Sequence, residues 1–158
     1  MAYEIPQKPM ISVIMANYNC EAFLASAIRS VLNQTNTALE LILVDDGSSD
    51  RSVEIAQEIA KQDARLSVFS GTRYGGPAPV RNHALERAKG DWVAIVDSDD
   101  LIRPDRLERM LTAAEDTGAD ILIDNLAVFQ SDGPANIFTM FEGDLRDRPA
   151  RIMESEYI

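Results

Sequence analysis

Apolar positions follow two alternating patterns along most of the chain. Short, mostly apolar runs occupy Ile11 to Ala16, Leu39 to Val44, Leu66 to Phe69, Trp92 to Val96 and Ile121 to Phe129. Runs of this length, rich in β-branched residues, read as buried strands. Between them apolar residues recur at helical spacing. Phe23, Leu24, Ala27, Ile28, Val31 and Leu32 predict a helix over about residues 21–33, and Val53, Ala56, Ile59 and Ala60 a second. A third is predicted from Val80 to Lys89, stopped by Gly90 as a C-terminal cap. Leu107, Met110, Leu111 and Ala114 mark a fourth, with Pro104 in its first turn and Gly118 at its end. Gly71 to Pro79 holds three glycines and two prolines and reads as a mobile loop. Strands and helices thus alternate five times, the pattern of a parallel sheet covered on both faces. Residues 1–9 read as a loose leader. After Gln130 the periodicity decays, and residues 131–158 carry Ile137, Phe138, Met140 and Phe141 among many charges, like the start of a further part.

Three strands end in polar clusters: Asn17-Tyr18-Asn19, Asp45-Asp46-Gly47-Ser48 and Asp97-Ser98-Asp99-Asp100. Open α/β sheets bind ligands at the carboxyl ends of their strands, so these clusters share one rim if the strands are neighbours. A plain strand-to-helix turn accounts for Gly47 and for Ser49 or Asp50 as a cap. It leaves two adjacent acids unexplained, one of which can accept a hydrogen bond from a ring N–H of a base. In the third cluster one aspartate suffices for a turn, yet three stand within four residues. Crowded carboxylates repel one another unless a cation sits among them. Oxygen ligands suit Mg²⁺ or Mn²⁺, and such an ion bridges to a diphosphate that an acidic rim otherwise repels. Tyr18 is either a surface aromatic or a platform for a nucleobase, where stacking is worth roughly 1–3 kcal/mol per base. Arg81 and Asn82 are either ordinary first-turn residues or reach a ligand phosphate. His83 reads as a helix-surface residue and Cys20 as a small packing residue.

Composition narrows the classes. The 158 residues, 46% hydrophobic and 26% charged, suit one soluble domain with a real core. The net charge of −11 lacks the basic footprint of a nucleic-acid binder. One cysteine permits no internal disulfide, and one histidine no His-rich metal site. No signal-peptide core and no run of membrane-spanning length are visible, so the expected location is the cytoplasm, including peripheral attachment at the inner face of the membrane. The glycine fingerprints of dinucleotide-binding and P-loop proteins and the nucleophile elbow of hydrolases are absent.

The order Ile11-Ser-Val-Ile-Met-Ala-Asn-Tyr-Asn19, Leu41-Ile-Leu-Val-Asp-Asp-Gly-Ser-Ser-Asp50, Ala78-Pro-Val-Arg-Asn82 and Asp97-Ser-Asp-Asp100 with Pro104-Asp-Arg-Leu107 resembles the family-2 glycosyltransferases of GT-A fold. The resemblance runs from about residue 10 to 129 and departs at Ala16, where proline or threonine is common. It implies a Rossmann-like three-layer α/β/α fold with a mostly parallel central sheet, and a nucleotide-sugar-binding domain over residues 10–130. Tyr18 would stack on the base and Asp46 would bond its ring N–H. Asp97 would contact the ribose or the metal, and Asp99 would ligate Mn²⁺ or Mg²⁺ on the diphosphate. Arg81 would join the nucleotide-sugar site. The implied activity is inverting transfer of a hexose from a nucleotide-sugar, with UDP-sugar as the expected donor. The implied acceptor is a saccharide or lipid-linked molecule in polysaccharide biosynthesis. Nothing in residues 131–158 matches the general base of the family. Glu142, Asp144 and Asp147 lie too near the sheet to carry it, so the chain is expected to be the donor-binding portion of a longer enzyme. Apolar surface near Ile121 to Phe141 would suit pairing with another copy. A nucleotidyltransferase would need a Gly- and Arg/Lys-rich loop after the first strand, where Asn-Tyr-Asn-Cys-Glu-Ala stands instead. A non-enzymatic metal-binding module of the phosphoacceptor type would need its acidic pair after the first strand, not the second.

Overall fold

The computed structural model describes residues 11–71 and 73–125 in full and the backbone of 127–128 and 138–139. Four strands, β1 (Ile11–Asn17), β2 (Leu39–Asp45), β3 (Leu66–Phe69) and β4 (Trp92–Ile95), form one all-parallel sheet in the order β3-β2-β1-β4. β1 and β2 are almost wholly buried, as their near-continuous apolar sequences require. The chain builds β1, β2 and β3 outward in one direction and then returns to add β4 on the other side of β1. The point of reversal, between β1 and β4, is where such sheets open a crevice.

Alternation along the strands sends residues to two cores. Ile11, Val13 and Met15 of β1 and Leu39, Leu41 and Leu43 of β2 pack with Leu24, Ala27, Ile28, Val31 and Leu32 of α1 (Leu24–Leu32) and Ala56 of α2 (Ser52–Ala60). Ile14, Ile42 and Val44 point the other way, to Val80 and Ala84 of α3 (Pro77–Leu85). The result is the three-layer α/β/α arrangement read from the sequence. Trp92 pairs with Ile11 at the start of β1, and Val93 and Ile95 lie exposed on the edge strand.

Several elements differ from expectation. The third helix starts at Pro77, not Val80, and ends at Leu85, not Lys89. Pro77 and Pro79 both sit in the first turn, where backbone N–H groups have no helical acceptor to lose. Gly90 is no helix cap. A Cβ there would come within 2.6 Å of the Ser12 backbone nitrogen, so the position needs glycine for close approach to β1. The Gly90 amide donates to Ser12 Oγ at 2.8 Å, and that hydroxyl donates to Glu40 Oε1 at 2.8 Å. Pro104 precedes the fourth helix, α4 (Arg106–Thr117), and its carbonyl accepts the Thr35 N–H at 2.8 Å. Gly118, at φ 66°, ends that helix as read.

The predicted strand from Ile121 to Phe129 is not a fifth parallel strand. Residues 121–125 have no regular structure, because Asp124 and Asn125 interrupt the apolar run; Ile121 and Ile123 are exposed. A two-residue strand β5 (Ala127–Val128) pairs antiparallel with β6 (Phe138–Thr139) in a separate sheet. The chain divides into two compact units between Glu108 and Arg109, within α4. The leader, and Glu142, Asp144 and Asp147, lie outside the described residues. Among the described residues no helix is long and apolar enough to cross a membrane.

Candidate functional site

The strand order places the three polar clusters on one rim. Asn17, Asp45 and Asp97 stand at or just past the ends of β1, β2 and β4, whose neighbours they are. The ladder continues past the strand ends, through Asp46 N–H to Asn17 O at 2.9 Å and Val96 N–H to Ile14 O at 3.1 Å.

The turn after β2 is closed by its own hydrogen bonds. Asp45 is buried. Its Oδ2 accepts the N–H groups of Gly47 (3.1 Å) and Ser48 (2.8 Å), and its Oδ1 accepts the Asn17 amide (2.7 Å) and the Ser48 hydroxyl. Gly47, at φ 76°, makes the bend that this cage demands. Ser48 Oγ accepts the Asn19 N–H at 2.8 Å, and Asn19 Oδ1 accepts the Ser49 N–H at 2.8 Å, so the turns after β1 and β2 are laced together. Asn19 itself takes a left-handed φ of 48°, a conformation asparagine tolerates. Asp50 accepts the Ser52 N–H at 2.9 Å and the Glu21 N–H at 3.0 Å, but the N-cap position of α2 is Arg51, which has no capping side chain, so neither Ser49 nor Asp50 is the cap that was expected.

Asp46 is held differently. Its Oδ1 accepts the N–H groups of Tyr74 and Gly75, and its Oδ2 that of Gly76 at 2.8 Å. Burial pushes its carboxyl up, but the three N–H donors and the nearby Arg73 guanidinium outweigh this and hold it below the usual carboxylate range. The glycine-rich loop read as mobile is therefore tied to β2 at this point. Gly75 and Gly76, at φ 92° and 129°, let successive N–H groups converge on one carboxylate. An ionised carboxylate has about four lone-pair sites, so Asp46 retains room for one more donor.

Arg81 projects from α3 to the turn after β4 and pairs with Asp97 Oδ1 at 2.5 Å. The positive group demanded by the acidic cluster is thus supplied in part by the protein. Arg81 Nε is buried and has no hydrogen-bond partner, an unmet donor at the rim. Asn17 Oδ1 is likewise a buried acceptor without a partner. Asp99 and Asp100 are exposed. Burial pushes the Asp100 carboxyl up, and the charges of Asp99 and Asp97 add to this, with Arg106 opposing.

Among the described residues no three His, Cys, Asp or Glu side chains gather as a self-sufficient metal cage. An ion such as Mg²⁺ needs less from a protein, since one or two carboxylates suffice when water and substrate phosphates complete its shell. Asp97 and Asp99, two carboxylates one residue apart just past β4, are of the kind that demand calls for.

Tyr18 lies at the mouth of β1, 48% exposed, with the Arg73 guanidinium 5.3 Å from its ring centroid. Arg73 was not singled out from sequence, because nothing local to it signals a contact with Tyr18. Cys20 is more than filler: its thiol donates to Ser98 O at 3.4 Å and ties the β1 and β4 turns, while burial pushes the thiol up and away from nucleophilic use. His83 is not a free surface residue. Its Nε2 lies 3.1 Å from the Tyr74 hydroxyl, and its ring meets Phe69 edge-on.

Comparison with known proteins places these residues in a wider setting. The sequence profile of Glycosyl transferase family 2 matches residues 12–153. An uncharacterized glycosyltransferase of Haemophilus influenzae is 48% identical over 103 residues, 65% of this chain and 41% of that protein. The succinoglycan biosynthesis protein ExoO of Rhizobium meliloti is 38% identical over 129 residues, 82% of this chain and 36% of its own. Among solved structures, S. aureus TarS in complex with UDP-GlcNAc superposes with a TM-score of 0.64 at 34% identity, over 70% of this chain and 32% of that one. The mannosyltransferase PcManGT of Pyrobaculum calidifontis, in complex with GDP-Man and Mn²⁺, gives 0.65 at 26% identity, over 71% and 34%. The chain thus spans about two-fifths or less of the length of these proteins.

Proposed function

The chain belongs to glycosyltransferase family 2 and has its GT-A fold, and from that premise we propose that its rim is the donor site of an inverting hexosyltransferase. The enzyme takes a nucleotide-sugar, a UDP-sugar in the first instance, and passes the sugar to a saccharide or lipid-linked acceptor in polysaccharide assembly. The observation that carries this reading is the strand order, which sets the ends of β2, β1 and β4 side by side at the point of reversal. Relatives support the donor class: TarS was solved with UDP-GlcNAc and PcManGT with GDP-Man.

In this reading Tyr18 stacks on the base, and Asp46 accepts the ring N–H with its remaining lone pair. Arg81 turns its unmet Nε–H toward the diphosphate, and Asp97 takes the ribose or the metal. Asp99 and Asp97 would hold Mn²⁺ or Mg²⁺, which when bound neutralises the charge of the departing diphosphate. In the transfer the acceptor oxygen forms its bond to the anomeric carbon from the face opposite the diphosphate. The bond from that carbon to the phosphate oxygen breaks, and the diphosphate leaves with the electron pair. A general base takes the acceptor's proton; we assign no described residue to it. The proposed setting is the cytoplasm, at the inner face of the membrane where an acceptor is lipid-linked.

Calorimetry with UDP and Mn²⁺ tests the site. Binding by the wild type that weakens in Asp99→Ala supports it. Absence of wild-type binding, or equal binding by Asp99→Ala, overturns it.

A further inference from the structure

Tyr18, Asp46 and Arg73 meet through a chain of contacts that the donor reading does not use. The Asp46 carboxylate grips three successive N–H groups, those of Tyr74, Gly75 and Gly76. That grip fixes the backbone just after Arg73. On its other side Arg73 lies against the β2 turn, with its Cβ only 3.5 Å from where a Cβ on Gly47 would stand. Held at both places, Arg73 extends its guanidinium over Tyr18, 5.3 Å from the ring centroid. The tyrosine is half exposed, so the guanidinium covers only part of the platform.

We infer that Arg73 is the second face of the nucleobase slot, a binding determinant that rests on Tyr18 in the free protein and stacks on the base when nucleotide enters between them. The inference rests on the donor reading above for Tyr18, and adds a residue to it. Guanidinium chemistry suits the task. The group is planar, weakly hydrated and always charged, and it stacks on aromatic faces. Bases splayed from their own stacks lie against arginine planes as readily as against aromatic rings. Asp46 sits at the edge of the same slot, so one carboxylate both places the roof and faces the base. Because stacking reads a π-face and not an edge, Arg73 adds affinity without choosing between bases.

Titration of UDP and of UMP into the full 158-residue chain, for wild type, Arg73→Ala, Arg73→Lys, Tyr18→Ala and the Tyr18→Ala/Arg73→Ala pair, tests this. A cation on an exposed aromatic face is worth about a two- to fivefold change in affinity. The expected result is a loss of that size in Arg73→Ala, nearly the same in Arg73→Lys, equal for UDP and UMP, and absent on the Tyr18→Ala background. Three results overturn the inference while leaving the donor site standing, provided Tyr18→Ala weakens UDP. They are an unchanged or tightened Arg73→Ala, full recovery in Arg73→Lys, and a loss that grows from UMP to UDP and so marks a phosphate contact. An unaffected Tyr18→Ala, or no UDP binding by the wild type, removes the donor reading and the inference with it.

Discussion

Two acidic turns stand on the same rim and meet opposite fates. After β2, Asp45 and Asp46 are each wrapped in donors from the protein: Asp45 by Gly47, Ser48 and Asn17, Asp46 by Tyr74, Gly75 and Gly76. After β4, Asp97 has one guanidinium, while Asp99 and Asp100 face solvent and each other. Acidic residues on one rim therefore do different work according to depth, since Asp45 and Asp46 are buried and Asp99 and Asp100 are exposed. The first turn uses its carboxylates to build the rim. The second leaves Asp99 and Asp100 at the solvent, where the charges of Asp99 and Asp97 add to partial burial in raising the Asp100 carboxyl.

The contrast breaks most forcefully at Asp45. Asp45→Ala takes the acceptor from the Gly47 and Ser48 N–H groups and leaves the Asn17 amide only Ser48 Oγ at 3.2 Å, and a loss of about 3 kcal/mol is expected, read as a lower urea midpoint at unchanged slope. Asp99→Ala works the other way. Its fold stability should stay within about 0.5 kcal/mol of wild type. Its UDP affinity in Mn²⁺ should fall by at least about tenfold, since even residues outside a metal's first shell cost that much. Calorimetry and thermal melts on the same preparation separate the two effects.

Asp46→Asn should keep the fold but free the loop. An amide offers one acceptor oxygen where the carboxylate offered two, so faster hydrogen exchange is expected at the amides of Tyr74, Gly75 and Gly76. Unchanged protection there would show that the loop is held by something other than Asp46.

The smallest effect, and the sharpest for the comparison, is at Asp100. Its carboxyl is pushed up, so the stability linked to its proton is fully present below the unfolded value of 3.8 and lost as pH rises through its higher folded value. Asp46 is pushed down. Its contribution is present above 3.8 and lost as pH falls through its lower folded value. Acidification from neutral should thus first relax the β4 turn and only afterwards release the β2 turn. Asp100→Asn should melt slightly higher than wild type at neutral pH, by under about 1 kcal/mol. The advantage should vanish as pH approaches 3.8. An advantage that persists unchanged in acid would show that repulsion is not its cause.

What the sequence made legible follows the range of the forces involved. β1 and β2 could be read because a parallel central strand needs apolar residues on both faces, and both runs provide them. The common rim followed from topology. The start of α3 was missed because Pro77 and Pro79 look like breakers until their first-turn positions are known. Gly90 was misread because a glycine near a helix end suggests a cap, whereas its partner is Ser12, distant in sequence. The Arg81–Asp97 pair and the Arg73–Tyr18 stack were hidden for the same reason: each joins residues from separate elements, α3 to the turn after β4 and the loop after β3 to the turn after β1.

The lone tryptophan gives the chain a built-in gauge. Trp92 opens β4 beside Ile11, at the end of the sheet remote from the acidic turns, and packs against the larger core. Its emission therefore reports whether the edge strand is docked, and it is a bystander to events at the rim. Denaturation followed by fluorescence reads the body of the domain. A shift in that signal on adding UDP would mean that nucleotide binding is felt along the whole length of β4.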